Sequence, residues 1–232
     1  YGNSIRRVME QKNREPGIKG VVADIIHVQK DYEVAIETAL GGSIQNIVTD
    51  NEQTAKRMIG FLKKNRFGRA TFLPLSNISG RGGLNQRDVL SEPGVVGTAN
   101  TLVNADKEYS ELVMYLLGRV LVVDNIDHAI AIGKKYRHSL RMVTIEGESL
   151  SPGGSMTGGA FKNNSNLLGR RREIEELERS VGILRKELEE TQKSIGENRS
   201  RRNVLRDTIA DFQQKLRQQY VEQNTAKMNL EQ

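Results

Sequence analysis

The chain has 232 residues, a formal charge of +6 and no cysteine. Missing thiols exclude disulfides, cysteine-ligated zinc and a cysteine nucleophile, which fits a reducing compartment. No apolar run approaches the roughly 20 residues that carry a helix across a bilayer, and the first residues lack the basic-then-apolar pattern of an export signal.

Tyr1, Ile5, Val8 and Lys12 follow a 4-3-4 spacing, so a helix is expected over 1–15, stopped by Glu15-Pro16-Gly17. DYEVAIETALG (31–41) reads as a short amphipathic helix and IQNIVTD as a strand. NEQTAKRMIGFLKK reads as a helix, and RATFLPL as a second strand. Further on, DKEYSELVMYLLG is a helix, RVLVVD a strand, NIDHAIAIGKKY a helix and LRMVTIEG a strand. The two series match. ALGGSIQNIVTDNEQTA and LLGRVLVVDNIDHA both run Leu-Gly, strand, Asp-Asn, helix, with Asp50 and Asp124 expected as helix caps. The expected fold is α+β, in two pseudo-repeated mixed α/β lobes. Lobe I covers about 16–100 and lobe II about 101–168, and the Gly-, Ser- and Asn-rich stretch from Ser76 to Thr101 joins them.

Past about Arg170 the composition turns to Glu, Arg, Lys, Gln and Leu. With Ile174 at a and Leu177 at d, one heptad register runs through Val181, Leu184, Leu188, Ile195, Leu205, Ile209, Phe212, Leu216 and Leu230. That pattern specifies a left-handed coiled-coil arm over 169–232, roughly 85 Å of seam at 1.5 Å per residue. Thr191, Asn198, Arg202 and Gln219 interrupt the seam and set register or loosen it locally. Residues 1–15 are long enough to pair with the first turns only, so the rest of the arm needs another segment or chain. The chain opens at Tyr1 and stops at Gln232 within a polar helical pattern, and it is expected to be a piece of a longer protein.

Residues 151–161, SPGGSMTGGAF, hold four glycines. A phosphate-binding loop of the form G-x-x-x-x-G-K-[ST] needs the Lys and the hydroxyl. After Gly158 this chain has Gly159 and Ala160 instead. GRGGLN, from Gly80, ends in Asn85 where a dinucleotide fingerprint needs glycine or alanine. Two readings remain, a flexible linker or an edge strand that adds to the sheet of another subunit, since a residue without Cβ lets a second backbone approach.

From Gln53 to Arg87 there are eight basic residues and no acid: Lys56, Arg57, Lys63, Lys64, Arg66, Arg69, Arg81 and Arg87. The rest of the chain is close to balanced, so the net charge comes from this window. Such a window reads either as a solvated helix face or as a surface for phosphates, giving sequence-independent, salt-sensitive binding. Lys56, Arg57, Lys63, Lys64, Arg66, Arg69 and Arg81 are the DNA-contact candidates. Lys134, Lys135, Arg137 and Arg141 form a weaker cluster that also suits a helix C-terminus. His27, His128 and His138 show no metal-ligand spacing, Ser149 and Ser151 lack a nucleophile setting, and Asp24, Asp124 and Asp127 read as caps or surface acids. No catalytic constellation emerges, so neither enzyme activity nor a cofactor is expected.

Three stretches carry a family resemblance: GIKGVVADIIHVQKDYEVAIETALGGSIQNIVTDNEQTA, DNIDHAIAIGKKY and LSPGGSMTGG. Over about Pro16 to Gly169 the chain resembles the hinge of structural maintenance of chromosomes (SMC) proteins, most closely the bacterial chromosome-condensation member. The resemblance implies a two-lobed hinge flanked by antiparallel coiled-coil helices. It further implies homodimerisation with Gly153, Gly154, Gly158 and Gly159 at the interface, and DNA contact. ATPase heads with kleisin-type subunits would lie elsewhere in the full-length protein, in the nucleoid of the bacterial cytoplasm and not at a membrane. A purely structural hinge without nucleic-acid contact and a nucleotide-binding domain are the competing readings.

Overall fold

The computed structural model describes residues 1–79, 82–160 and 166–231. Internal contacts group the chain into two units, Tyr1–Glu175 and Glu176–Gln232.

The first unit begins with α1 (Asn3–Met9), which buries Ile5 and Val8. Turns continue the chain to Glu15, so the helix is shorter than the spacing of apolar residues suggests. Then come β1 (Ile18–Val21), α2 (Val22–Ile25), β2 (His27–Val28), α3 (Glu33–Leu40), β3 (Ile47–Thr49), α4 (Glu52–Asn65) and β4 (Phe72–Pro74). They form a three-stranded sheet ordered β1-β3-β4, with β1 antiparallel to β3 and β4 parallel to it. The second lobe follows with β5 (Val95–Thr98), β6 (Val103–Asn104), α5 (Ser110–Leu117), β7 (Val120–Val123), α6 (Ile126–Lys135) and β8 (Arg141–Thr144). The hairpin strands β9 (Ser149–Leu150) and β10 (Met156–Thr157) extend its sheet, ordered β10-β9-β8-β7-β5.

The two lobes share one plan. In each, an antiparallel strand lies beside a central strand, and a helix leads from that central strand to a parallel neighbour. The likeness extends to backbone detail. β1 and β5 both slip register beside a glycine, Gly20 (φ 147°) and Gly97 (φ 155°). The Asp50 amide donates to Gly17 O at 2.9 Å, and the Asp124 amide to Gly94 O at 2.8 Å. A Cβ on Gly17 would fall 2.4 Å from Thr54 Oγ1, and one on Gly94 2.3 Å from His128 Nδ1. Both glycines therefore let the incoming chain lie directly on the strand-to-helix joint. β2 and β6 form a two-stranded ladder between the lobes, with His27 opposite Asn104. The sequence pattern misses β1 and β5 because a bulged four-residue strand has no clean period of two. Val95–Thr98 lies in the stretch read as a joining segment and forms the edge of the second sheet instead.

The helix caps are one residue later than expected. Asn51 Oδ1 accepts from the Thr54 amide at 3.1 Å, and Asn125 Oδ1 from the His128 amide at 2.9 Å. Both asparagines are extended (φ −147° and −146°), the conformation that brings a side chain under the third helical N–H. Asp50 and Asp124 brace the joints instead. Each accepts from the next amide, at 2.8 and 2.7 Å. Asp50 also takes the Thr54 hydroxyl at 2.6 Å, and Asp124 meets His128 Nδ1 at 2.7 Å.

The core follows from strand alternation. β7 reads Val-Leu-Val-Val and is buried on both faces, as a central strand flanked by helices requires. Val120 and Val122 join a large cluster with Ile18, Ile36, Ile47, Val48, Leu112 and Leu117 that unites the lobes. Leu121 and Val123 face the other way, into a smaller cluster with Ala129, Ile132 and Met142. Between the lobes, Arg141 Nη2 donates to Ala39 O at 2.8 Å.

α7 (Leu167–Glu231) starts two residues before the arm's expected start, with Asn166 Oδ1 accepting from the Gly169 amide at 2.8 Å and Leu168 buried. Its turns up to Glu175 belong to the first unit. The second unit, from Glu176, is helix throughout its described residues. Its a and d residues, including Leu177, Leu184, Leu188, Leu205, Ile209, Phe212 and Leu216, are exposed as one stripe, the surface that a second helix would cover.

Candidate functional site

The glycine-rich stretch folds into a hairpin. Met156 pairs with Leu150 and Thr157 with Ser149. Gly153 (φ 92°) and Gly154 (φ 98°) occupy the left-handed region, which the turn requires and a Cβ resists. Their amides donate to His138 O at 2.8 Å and Ser151 O at 3.0 Å, and the Ser151 amide donates to Ser155 O at 2.9 Å. These two glycines thus build the turn, whereas Gly158 and Gly159 follow the strand. A Cβ on Gly158 would press on Glu148 Cγ at 3.1 Å, and Gly159 (φ 130°) has open space around it. β10 pairs on one side only and Met156 is half exposed. Among the described residues, the lobe therefore ends in a strand whose outer hydrogen-bonding groups are unpaired and whose flank is apolar.

The basic window divides. α4 is amphipathic, burying Thr54, Ala55, Met58 and Leu62, so 3.6-residue periodicity turns Lys56, Arg57, Lys63 and Lys64 outward. Arg66 ends the helix in the left-handed conformation (φ 55°), and Arg69 follows Gly68 (φ 98°). Lys56, Lys63, Lys64, Arg66 and Arg69 are exposed, with no acidic partner among the described ion pairs. Arg57 differs: its Nε and Nη2 bind Glu15 Oε1 and Oε2 at 2.9 and 3.0 Å. That bidentate hydrogen bond raises the guanidinium's pKa above its ordinary value, and it ties Arg57 to the end of the α1 segment. The partner lies 42 positions earlier in the chain, beyond the reach of a window-by-window reading. Arg81 lies outside the described residues.

The weaker basic cluster is dispersed. Lys135 bonds Glu92, Arg141 is held at Ala39 O, Arg137 is in the left-handed region (φ 57°), and Lys134 is exposed. His128 does meet a carboxylate, the Asp124 group four residues back. The His128 hydrogen bond holds that carboxyl below its ordinary pKa. Among the described residues no group of acids and histidines is arranged to hold a metal, and no helix is long and apolar enough to cross a membrane.

One functional-looking cluster has no sequence signal. At the root of α7, Arg172 Nε bonds the buried Glu33 of α3. Glu175 takes Arg171 at 3.1 Å and His27 Nδ1 at 3.4 Å. One turn along α3, Glu37 is 8% exposed, and its Oε2 has no hydrogen-bond partner among the described residues. Burial pushes its pKa up to about 7, against a hydrogen bond from the Leu167 backbone, with the Glu33 charge adding to the rise.

Residues 15–133 match the family model described as the SMC proteins flexible hinge domain. The chain belongs to the SMC hinge family. This hinge is 43% identical over 185 residues to a protein of Bacillus subtilis named chromosome partition protein Smc, covering 78% of the chain and 16% of that protein. The chain therefore spans about a sixth of that relative's length. The Geobacillus stearothermophilus SMC hinge domain, solved as an asymmetric dimer, superposes with a TM-score of 0.73 at 38% identity, over 80% of this chain and 76% of that one. The Pyrococcus furiosus SMC hinge domain gives 0.58 at 33% identity, over 71% and 84%. The mixed α/β lobes and the long C-terminal helix are thus those of an SMC hinge, not of a catalytic domain.

Proposed function

We propose that this chain is a homodimerisation hinge that joins two coiled-coil arms and contacts DNA without sequence preference. The observation that carries the dimer is the β10 edge, Met156–Thr157, which is unpaired among the described residues and lies beside Gly158 and Gly159. A strand of a second copy adds there by main-chain hydrogen bonds, and the missing Cβ atoms let it approach. The dimeric form of the Geobacillus stearothermophilus hinge supports the same reading. Gly153 and Gly154 contribute by holding the hairpin in shape. With two-fold symmetry the contact occurs twice and closes on itself.

For DNA, the supporting feature is the exposed group of Lys56, Lys63, Lys64, Arg66 and Arg69, which has no acidic partner among the described ion pairs and to which Arg81 adds charge in sequence. Arg57 is the weakest contributor because Glu15 already occupies its donors. Phe61 and Phe67 pack on each other, with centroids 5.6 Å apart, so phosphate contact rather than base stacking is the mode. In the full-length protein this hinge would sit far from ATPase heads and their kleisin-type subunits, in the bacterial nucleoid.

Light scattering tests the dimer, with twice the chain mass expected. Replacing Gly158 and Gly159 with glutamate should yield monomers, and an intact dimer after both changes refutes the edge assignment. Lys63→Ala with Lys64→Ala should weaken DNA retention in a gel shift and leave the mass unchanged. Equal retention at low salt removes α4 as the contact and favours a purely structural hinge.

A further inference from the structure

We propose that a half-open cavity in the second lobe binds a small phosphate ester. The cavity has a volume of about 350 Å³ and lies where β7 and β8 begin, within the range of small-molecule sites. Arg119 immediately precedes β7 and Arg141 opens β8, and these parallel strands pair with Val120 opposite Arg141. Both arginines line the same cavity, joined by Asn85, Gln86 and Ser139, and no acidic residue is among the described lining groups.

The arginines are held in place without being neutralised. Arg119 Nε donates to Gly82 O at 3.1 Å, and Arg141 Nη2 to Ala39 O at 2.8 Å. Each bond uses one N–H of a guanidinium that carries five. Neither arginine has an acidic partner among the described ion pairs. The nearby acids of the preceding segment, Asp88 and Glu92, are engaged by Tyr136 and Lys135. Two anchored arginines lining one space match the several acceptor oxygens of a phosphate group better than a single carboxylate. Leu84 and Leu140 supply an apolar wall on which the organic part of the ester rests. These residues are separate from the α4 face, so the site does not depend on the DNA reading.

The test is calorimetric titration of the whole chain with inorganic pyrophosphate and with adenosine 5′-monophosphate, using adenosine as the uncharged control. One site per chain is expected for both phosphates and none for adenosine. Arg119→Gln should weaken both by about tenfold or more, the loss expected when a charged hydrogen-bond donor is removed. An unchanged melting temperature would show that the variant is folded. Lys63→Ala with Lys64→Ala should leave both affinities intact. No saturable binding by either phosphate overturns the proposal, as does equal affinity in folded Arg119→Gln. Loss of binding in the lysine variant alone moves the anion to α4 and also overturns it. Stoichiometric displacement of the nucleotide by an unphosphorylated oligodeoxynucleotide would overturn the small-molecule assignment in favour of a strand.

Discussion

Replacing Glu37 with glutamine should stabilise the hinge at alkaline pH and leave it nearly unchanged in acid. Glu37 is 8% exposed, one carboxylate oxygen has no partner among the described residues, and the charge of Glu33 lies close by. Its pKa rises from 4.5 to about 7 on folding. Between those values the folded chain keeps a proton that the unfolded chain has released. Folding is therefore favoured most below pH 4.5, and the contribution is lost as pH climbs to 7. At 1.36 kcal/mol per pH unit the interval amounts to about 3 kcal/mol. Glutamine has the shape of the protonated acid, retains an acceptor for the Leu167 amide and carries no charge. Urea unfolding of both proteins at pH 5 and pH 8 reads the effect. The variant should gain about 3 kcal/mol over the parent at pH 8, and about 1 kcal/mol or less at pH 5. An equal difference at the two pH values would refute burial of an ionisable carboxyl at this position.

Leu121→Ala should cost about 2 to 5 kcal/mol, because Leu121 is fully buried between β7 and α6. Denaturant melts measure it, and a loss below 1 kcal/mol would mean that the second lobe packs differently. Arg66→Gly should raise stability by about 0.5 to 1 kcal/mol, since an L-residue is strained at φ 55°. The same change removes a candidate phosphate contact, so a rise in melting temperature is expected together with weaker DNA retention. A fall in melting temperature would show that the Arg66 side chain, not its backbone, matters at the helix end.

The parts of the fold visible in sequence were those with long regular periods. The arm's heptads and the paired strand–helix–strand series each span enough residues for burial to leave a pattern. β1 and β5 left none, because the glycine bulges at Gly20 and Gly97 break alternation. The caps were displaced by one because Asp and Asn are both good cap residues, and only backbone geometry separates Asp50 from Asn51. At the candidate sites, composition pointed to the α4 face and to the glycine hairpin. It did not reveal that Gly153 and Gly154 are consumed by the turn, or that Glu15 occupies Arg57. The root cluster of Glu33, Glu37 and Arg172 unites residues about 140 positions apart, and nothing local marks them as neighbours.

The duplicated joint has a chemical asymmetry. In lobe I the bracing aspartate is met by a threonine hydroxyl, and in lobe II by an imidazole. Thr54 completes its joint with a small rotating hydroxyl, whereas His128 brings a rigid planar ring whose Nδ1 also lies 3.2 Å from Asn125 Nδ2. One pattern, occurring twice in the chain, is thus completed by two unlike side chains.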